Sequence, residues 1–139
     1  MVPRQITFAV FYLVQIAISD AVPPECSYWG KAFTSRNRKR IFDEVVGATH
    51  GSTALEYSCQ LEEKARPLLK QGQAEPPLVQ MKYEEGRSGH HNAATFFKKA
   101  VQSWSEELGK LGTKSLFGCN FSTKNKTGKF TVVCLFQAV

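Results

Sequence analysis

The sequence predicts an α+β domain built from three helices, a short middle strand and a C-terminal hairpin. Three observations carry this. Apolar residues recur at helical spacing in three separate stretches. Val79, Met81 and Tyr83 alternate with Gln80, Lys82 and Glu84, the period of a strand. The last segment folds about Lys126–Thr127 so that one register sets Phe117 opposite Phe136, Cys119 opposite Cys134 and Phe121 opposite Val132. A register that collects aromatic residues and cysteines on one face implies that this face is buried. Helices followed by a hairpin, with the middle strand, then give a layered α+β domain.

The elements follow in order. Met1–Ser19 holds one early charge, Arg4, then the apolar run Ile6–Ile18 and a small-x-small exit at Ala17-Ile18-Ser19. This is the layout of a secretory signal peptide, cleaved near Ser19 or Ala21. The run is shorter than the ~20 residues a bilayer core requires, so no membrane span is expected. Residues 20–139 then form a single domain, of which 20–33 is an extended arm with Pro23-Pro24, Cys26 and Tyr28-Trp29. The first helix begins near Thr34 or Ser35, either of which can cap it, buries Ile41, Phe42, Val45, Val46 and Ala48, and stops near Gly51. The second is expected over Glu56–Leu69, with Tyr57, Leu61, Ala65 and Leu68 inward and Glu62, Glu63 and Lys64 in water; Pro67 shortens it. The third runs from Asn92, a cap, to Leu108, with Gly109 at its C-terminal stop. Its stripe is Phe97, Ala100, Val101, Trp104 and Leu108.

The composition narrows the function classes. The chain of 139 residues has 42% hydrophobic and 22% charged residues, which argues against a disordered or fibrous chain. Without Arg4 of the leader, 17 basic residues face 12 acidic ones, a net of +5. Behind a secretory leader, such charge suits sulfated glycans or acidic surfaces, and the compartment argues against nucleic acid. All four cysteines, Cys26, Cys59, Cys119 and Cys134, remain after cleavage, and an even count outside the cell implies two disulfides. The hairpin register favours Cys119–Cys134, leaving Cys26–Cys59 to pin the arm to the second helix. The rival pairing joins Cys59 to Cys119 or Cys134, because the same face must pack on helices. Zinc lacks any C-x-x-C or H-x-x-x-H spacing.

Other chemistry is sparse. His90-His91 are adjacent in a Gly-Ser loop with no carboxylate or cysteine at ligand spacing. His50 suits a helix end. No G-x-S-x-G elbow is present, and Glu62-Glu63, Glu84-Glu85 and Glu106-Glu107 are neighbours rather than facing pairs. The expectation is a non-enzyme without cofactors. Arg36-Asn37-Arg38-Lys39-Arg40 is the densest charge run, a basic patch formed by Arg36, Arg38, Lys39 and Arg40. Asn120-Phe121-Ser122 and Asn125-Lys126-Thr127 are N-glycosylation sequons; Asn125 lies in the hairpin turn, and Asn120 points away from the Cys119 face.

Several blocks resemble a known family in their order along the chain. They are Leu55-Glu56-Tyr57-Ser58-Cys59-Gln60-Leu61-Glu62, the segment Ala100–Leu108 around Trp104, Phe117-Gly118-Cys119 and Val132-Val133-Cys134-Leu135-Phe136. Together they resemble secreted CAP-superfamily (SCP/TAPS) proteins of nematodes, the activation-associated secreted and venom-allergen-like proteins. The resemblance spans Arg38 to Phe136 in broken pieces and implies a reduced CAP-like α-β-α domain. Of the two histidines and two glutamates in that family's cleft, Glu107 alone has a clear match, three residues after Trp104. The segment carrying one cleft histidine is missing, since only Gly109–Leu116 separates helix from strand. The resemblance therefore implies a shortened relative with a dismantled cleft: an extracellular excretory-secretory protein that binds a host protein or glycan, in immune modulation or another host interaction. The alternative is a small lipid or sterol carrier, with the ligand between the aromatic helix and the hairpin. The third reading is a residual metal-dependent hydrolase.

Overall fold

The computed structural model describes residues 22–26, 33–86, 92–124 and 128–139. The leader at Met1–Ser19, the Tyr28-Trp29 pair, His90-His91, Asn125 and the turn at Lys126–Thr127 lie outside the described residues.

Helix α1 (Ser35–Thr49) starts behind Thr34, whose extended backbone lets its hydroxyl accept the Asn37 N–H at 3.2 Å. It ends on His50, which itself takes the left-handed conformation (φ 51°), one residue before Gly51. Ile41, Phe42 and Val45 are buried as the spacing requires.

The second helix departs from expectation. The segment instead forms strand β1 (Ala54–Tyr57), helix α2 (Cys59–Ala65) and a 3-10 turn at Pro67–Leu69. Tertiary pairing overrides the helical periodicity: β1 lies parallel to strand β3 (Lys114–Lys124), with Tyr57 beside Phe117. Ser58 breaks the two apart, since its extended backbone places its hydroxyl to accept the Leu61 N–H at 3.2 Å. Pro67 lacks the N–H that would continue α2. Glu62, expected in water, is 3% exposed.

Strand β2 (Val79–Glu85) runs one residue further than the alternation indicated, because strand β4 (Lys129–Ala138) continues alongside it to the Glu85–Phe130 pair. Asn92 caps helix α3 (Ala93–Ser103), accepting the Thr95 N–H at 2.8 Å. The expected single helix breaks at Trp104 (φ −95°, ψ 3°) and resumes as α4 (Ser105–Leu108). The break keeps both Trp104 and Leu108 inside, and the indole N–H donates to the Lys82 carbonyl at 3.3 Å. Gly109 follows in a right-handed conformation (φ −67°), so its position does not depend on glycine's freedom.

The hairpin takes the predicted register: Phe117 pairs with Phe136, Cys119 with Cys134 and Phe121 with Val132. The four strands stand in the order β1-β3-β4-β2. One face carries α1, α3 and α4 over a core that includes Phe42, Phe96, Phe97, Trp104, Phe117, Phe121 and Phe136. Fully burying a ring such as Phe96 contributes about 2–3 kcal/mol. The opposite face is covered too. Leu61 and Ala65 of α2 close over Val133 and Leu135. There α2 comes so near that a Cβ on Gly118 would lie 2.4 Å from Glu62 N and 2.5 Å from Ser58 O. The α+β layered domain is thus an α-β-α sandwich.

Candidate functional site

Two disulfides frame the molecule. Cys119–Cys134 crosses the hairpin on the inner face, with Cα atoms 4.0 Å apart. Cys26–Cys59 ties the arm to the first residue of α2, with Cα atoms 5.4 Å apart. No cysteine among the described residues is free.

The basic run does not form one patch. Arg38 turns inward and is 2% exposed, while Arg36 and Lys39 stay in solvent and Arg40 is half-buried. The cause is a buried carboxylate. Glu62 receives two charge-assisted hydrogen bonds from Arg38, Nε to Oε1 at 2.7 Å and Nη2 to Oε2 at 3.0 Å. The guanidinium also lies over the Phe33 ring, 5.4 Å from its centroid. The Tyr57 hydroxyl donates to Glu62 Oε1 at 2.5 Å and accepts the Cys119 N–H at 3.2 Å. This last bond has a structural cause: β1 pairs with β3 only as far as Phe117, so the next outward N–H of β3 requires a substitute partner. Burial, and then the charge on Glu62, push the Tyr57 hydroxyl far above its ordinary range. The hydrogen bond to Glu62 likewise raises Arg38, against the opposing effect of burial.

What remains of the basic run borders a surface groove. Residues 22–25 form one wall, and Arg36, Lys39, Arg40 and Asp43 of α1 line the other. Lys39 is paired with Asp43 at 2.9 Å, both about half exposed. Arg40 is held by a neutral acceptor, Asn37 Oδ1, at 3.2 Å. The Ser35 hydroxyl donates to Glu25 at 3.1 Å, which fastens the arm to the helix start.

A second depression lies between α1 and the α3–α4 pair. Glu44 and His50 line it with Lys98 and Ser105; Glu107, the family-cleft position, does not. Glu107 is exposed on α4. Among the described residues, no three His, Cys, Asp or Glu side chains converge as a metal-ligand set.

Asn120 points away from the Cys119 face, as expected, and lies on the face of the sheet that α2 covers. Its Nδ2, the atom a glycan would take, donates to the Glu62 carbonyl at 3.2 Å under α2.

The residues that sequence reasoning missed are Tyr57 and Glu62. Both stood inside a block already singled out, but assigning it to one helix placed Glu62 on the wet side. The signal that could have found them is the Ser58 cap with a carboxylate four residues on.

The geometry can be set beside known proteins. The family model described as Ancylostoma-associated secreted protein related matches residues 26–136. The chain belongs to this family. BmVAL-1 has a similar solved structure, with a TM-score of 0.61 at 19% identity over 84% of this chain and 82% of that one. Ancylostoma-secreted protein Ac-ASP-7 gives 0.58 at 16% identity, over 86% and 78%. The hookworm platelet inhibitor gives 0.53 at 20%, over 82% and 75%. Identities this low establish the fold, and the fold is a divergent CAP-like one. No curated protein sequence matches the chain. A second structure of Ac-ASP-7 is described as manganese-bound. The described residues do not fit such an ion: Asp43, Glu44 and His50 line the depression without converging on one point, and Glu107 is not part of it.

Proposed function

We propose that the protein is secreted, has no catalytic site, and works by binding a host extracellular molecule at its surface. The observation that carries this reading is the filled layer between α3 and the hairpin. Phe96 and Phe97 have no exposed surface, and Trp104 has 3%. Their space is occupied by the protein's own rings: Phe97 and Phe121 centroids are 4.8 Å apart, Phe96 and Phe130 5.3 Å, Phe96 and Phe121 5.8 Å. A lipid carrier needs an apolar cavity in that layer. A filled layer favours recognition by the outer surface.

Family membership and the disulfides support an extracellular site of action. The structural likeness to a protein named as a platelet inhibitor supports a host-directed role. The test is capture from host plasma and extracellular-matrix extract by the immobilised secreted protein, with reduced and unfolded protein as control. A discrete partner retained by the folded form alone is expected. A co-purifying lipid with no protein partner would overturn the reading in favour of the carrier.

A further inference from the structure

We propose that the groove between residues 22–25 and the first half of α1 binds a sulfated polysaccharide, whose sulfates sit on Arg36 and Arg40. This rests on the extracellular binding role above and names the ligand class.

Arg36 and Arg40 stand four residues apart on α1, so they lie on one face, one turn from each other. Neither has a carboxylate partner among the described residues. Arg36 is exposed, and Arg40 is steered by the amide oxygen of Asn37, which orients the guanidinium without neutralising it. The other two cations of the run are already matched, Arg38 by Glu62 and Lys39 by Asp43. The first turn of α1 holds no acidic residue, and Asp43, the α1 carboxylate that lines the groove, is taken by Lys39. Two planar forks at one-turn spacing can each take a sulfate bidentately, which a lysine cannot do.

The opposite wall is pre-formed. The Cys26–Cys59 bond and the Ser35–Glu25 hydrogen bond hold residues 22–25 against the helix, and Val22 is 61% exposed. Val22, Pro23 and Pro24 offer an apolar ledge for sugar faces, and the carboxylate of Glu25 is turned to the Ser35 hydroxyl at the helix start. An acidic protein segment would bind most tightly with a deep apolar anchor pocket, the usual centre of a protein interface. This groove has cations and a ledge and no such anchor, which favours the polysaccharide.

The experiment measures binding of a heparin octasaccharide to the secreted protein at physiological ionic strength. The double variant Arg36→Gln/Arg40→Gln should weaken binding by about tenfold or more, since two charge-assisted pairs are lost. Lys64→Gln/Lys70→Gln removes the same charge from exposed sites elsewhere and should change binding less than about twofold. Arg36→Lys/Arg40→Lys keeps the charge and should fall between them. Fully desulfated heparin should not bind. Equal losses in the two Gln variants would overturn the proposal, as would undiminished binding by Arg36→Gln/Arg40→Gln. So would a sulfotyrosyl peptide that binds as tightly as the octasaccharide. If the protein captures a host protein but ignores heparin, the polysaccharide inference fails and the broader binding role stands. If it does neither, both fail.

Discussion

Replacing Arg38 by methionine should be strongly destabilising, although the residue sits in a run that reads as solvated charge. The substitution keeps the length of the stem and its packing on Phe33, and removes the guanidinium. Glu62 then keeps its charge at 3% exposure with only the Tyr57 hydroxyl as a side-chain donor. Stranding one partner of a buried pair costs about 3–5 kcal/mol. A domain of this size unfolds with an entropy of about 0.25 kcal/mol/K, so the melting temperature should fall by about 12–20 °C. Replacing both partners, Arg38→Met with Glu62→Leu, leaves no buried charge and should recover most of that loss. The residual cost is the lost hydrogen bond from Tyr57 to Glu62, about 1 kcal/mol, since the hydroxyl still has the Cys119 carbonyl at 3.2 Å as an acceptor. Thermal and urea unfolding of the wild type, both single variants and the double variant closes a mutant cycle. A loss below about 1 kcal/mol for Arg38→Met would refute the reasoning, for that is the worth of an exposed pair. Additivity of the two single losses would refute it equally.

Other outcomes follow from the same geometry. Tyr57→Phe removes the acceptor of the Cys119 N–H and should cost about 1–3 kcal/mol in urea unfolding. Because the folded pKa of Tyr57 is raised, its share of the stability is complete below the unfolded tyrosine value of ~10 and is lost as pH rises beyond it; stability of Tyr57→Phe should therefore fall less steeply in that alkaline range. The hydrogen bond from Lys129 lowers Glu84, so its contribution is present above the ordinary carboxylate pKa and fades as pH falls below it. With a third of the Glu84 side chain exposed, Glu84→Gln should flatten the acid limb of the stability curve by less than ~1 kcal/mol. Gly118→Ala drives a Cβ into the backbone of α2 and should cost about 3 kcal/mol, read as a melting temperature about 12 °C lower; an unchanged value would show that α2 stands further from the sheet. Peptide mapping by mass spectrometry should find Asn120 without a glycan, and occupancy there would show that its bond to the Glu62 carbonyl does not form. Chelation followed by zinc or manganese addition should leave the melting temperature within about 1 °C, whereas a rise of several degrees would reveal a metal site.

The parts of this protein legible in the sequence are those fixed by local period. The hairpin register followed from alternation alone, because slipping by one residue would turn Phe117, Cys119 and Phe121 out of the core together. That register also set Cys119 opposite Cys134, and the remaining two cysteines are joined. Asn92 announced its helix, and Thr34 or Ser35 the first one, with Thr34 taking the role, because a cap is a bond across three residues.

What only the tertiary structure decided depends on partners far along the chain. Tyr57 became strand rather than helix because β3, some 60 residues later, offered a free edge. Glu62 went inside and drew Arg38 out of its basic run because a buried carboxylate must find a cation, and the one within reach lay 24 residues earlier. The same event left Arg36 and Arg40 as a separate pair beside the disulfide-anchored arm. Periodicity reports which face of an element is wet in isolation. It cannot report that a second layer, here α2 against Gly118, will cover the face that looked outward.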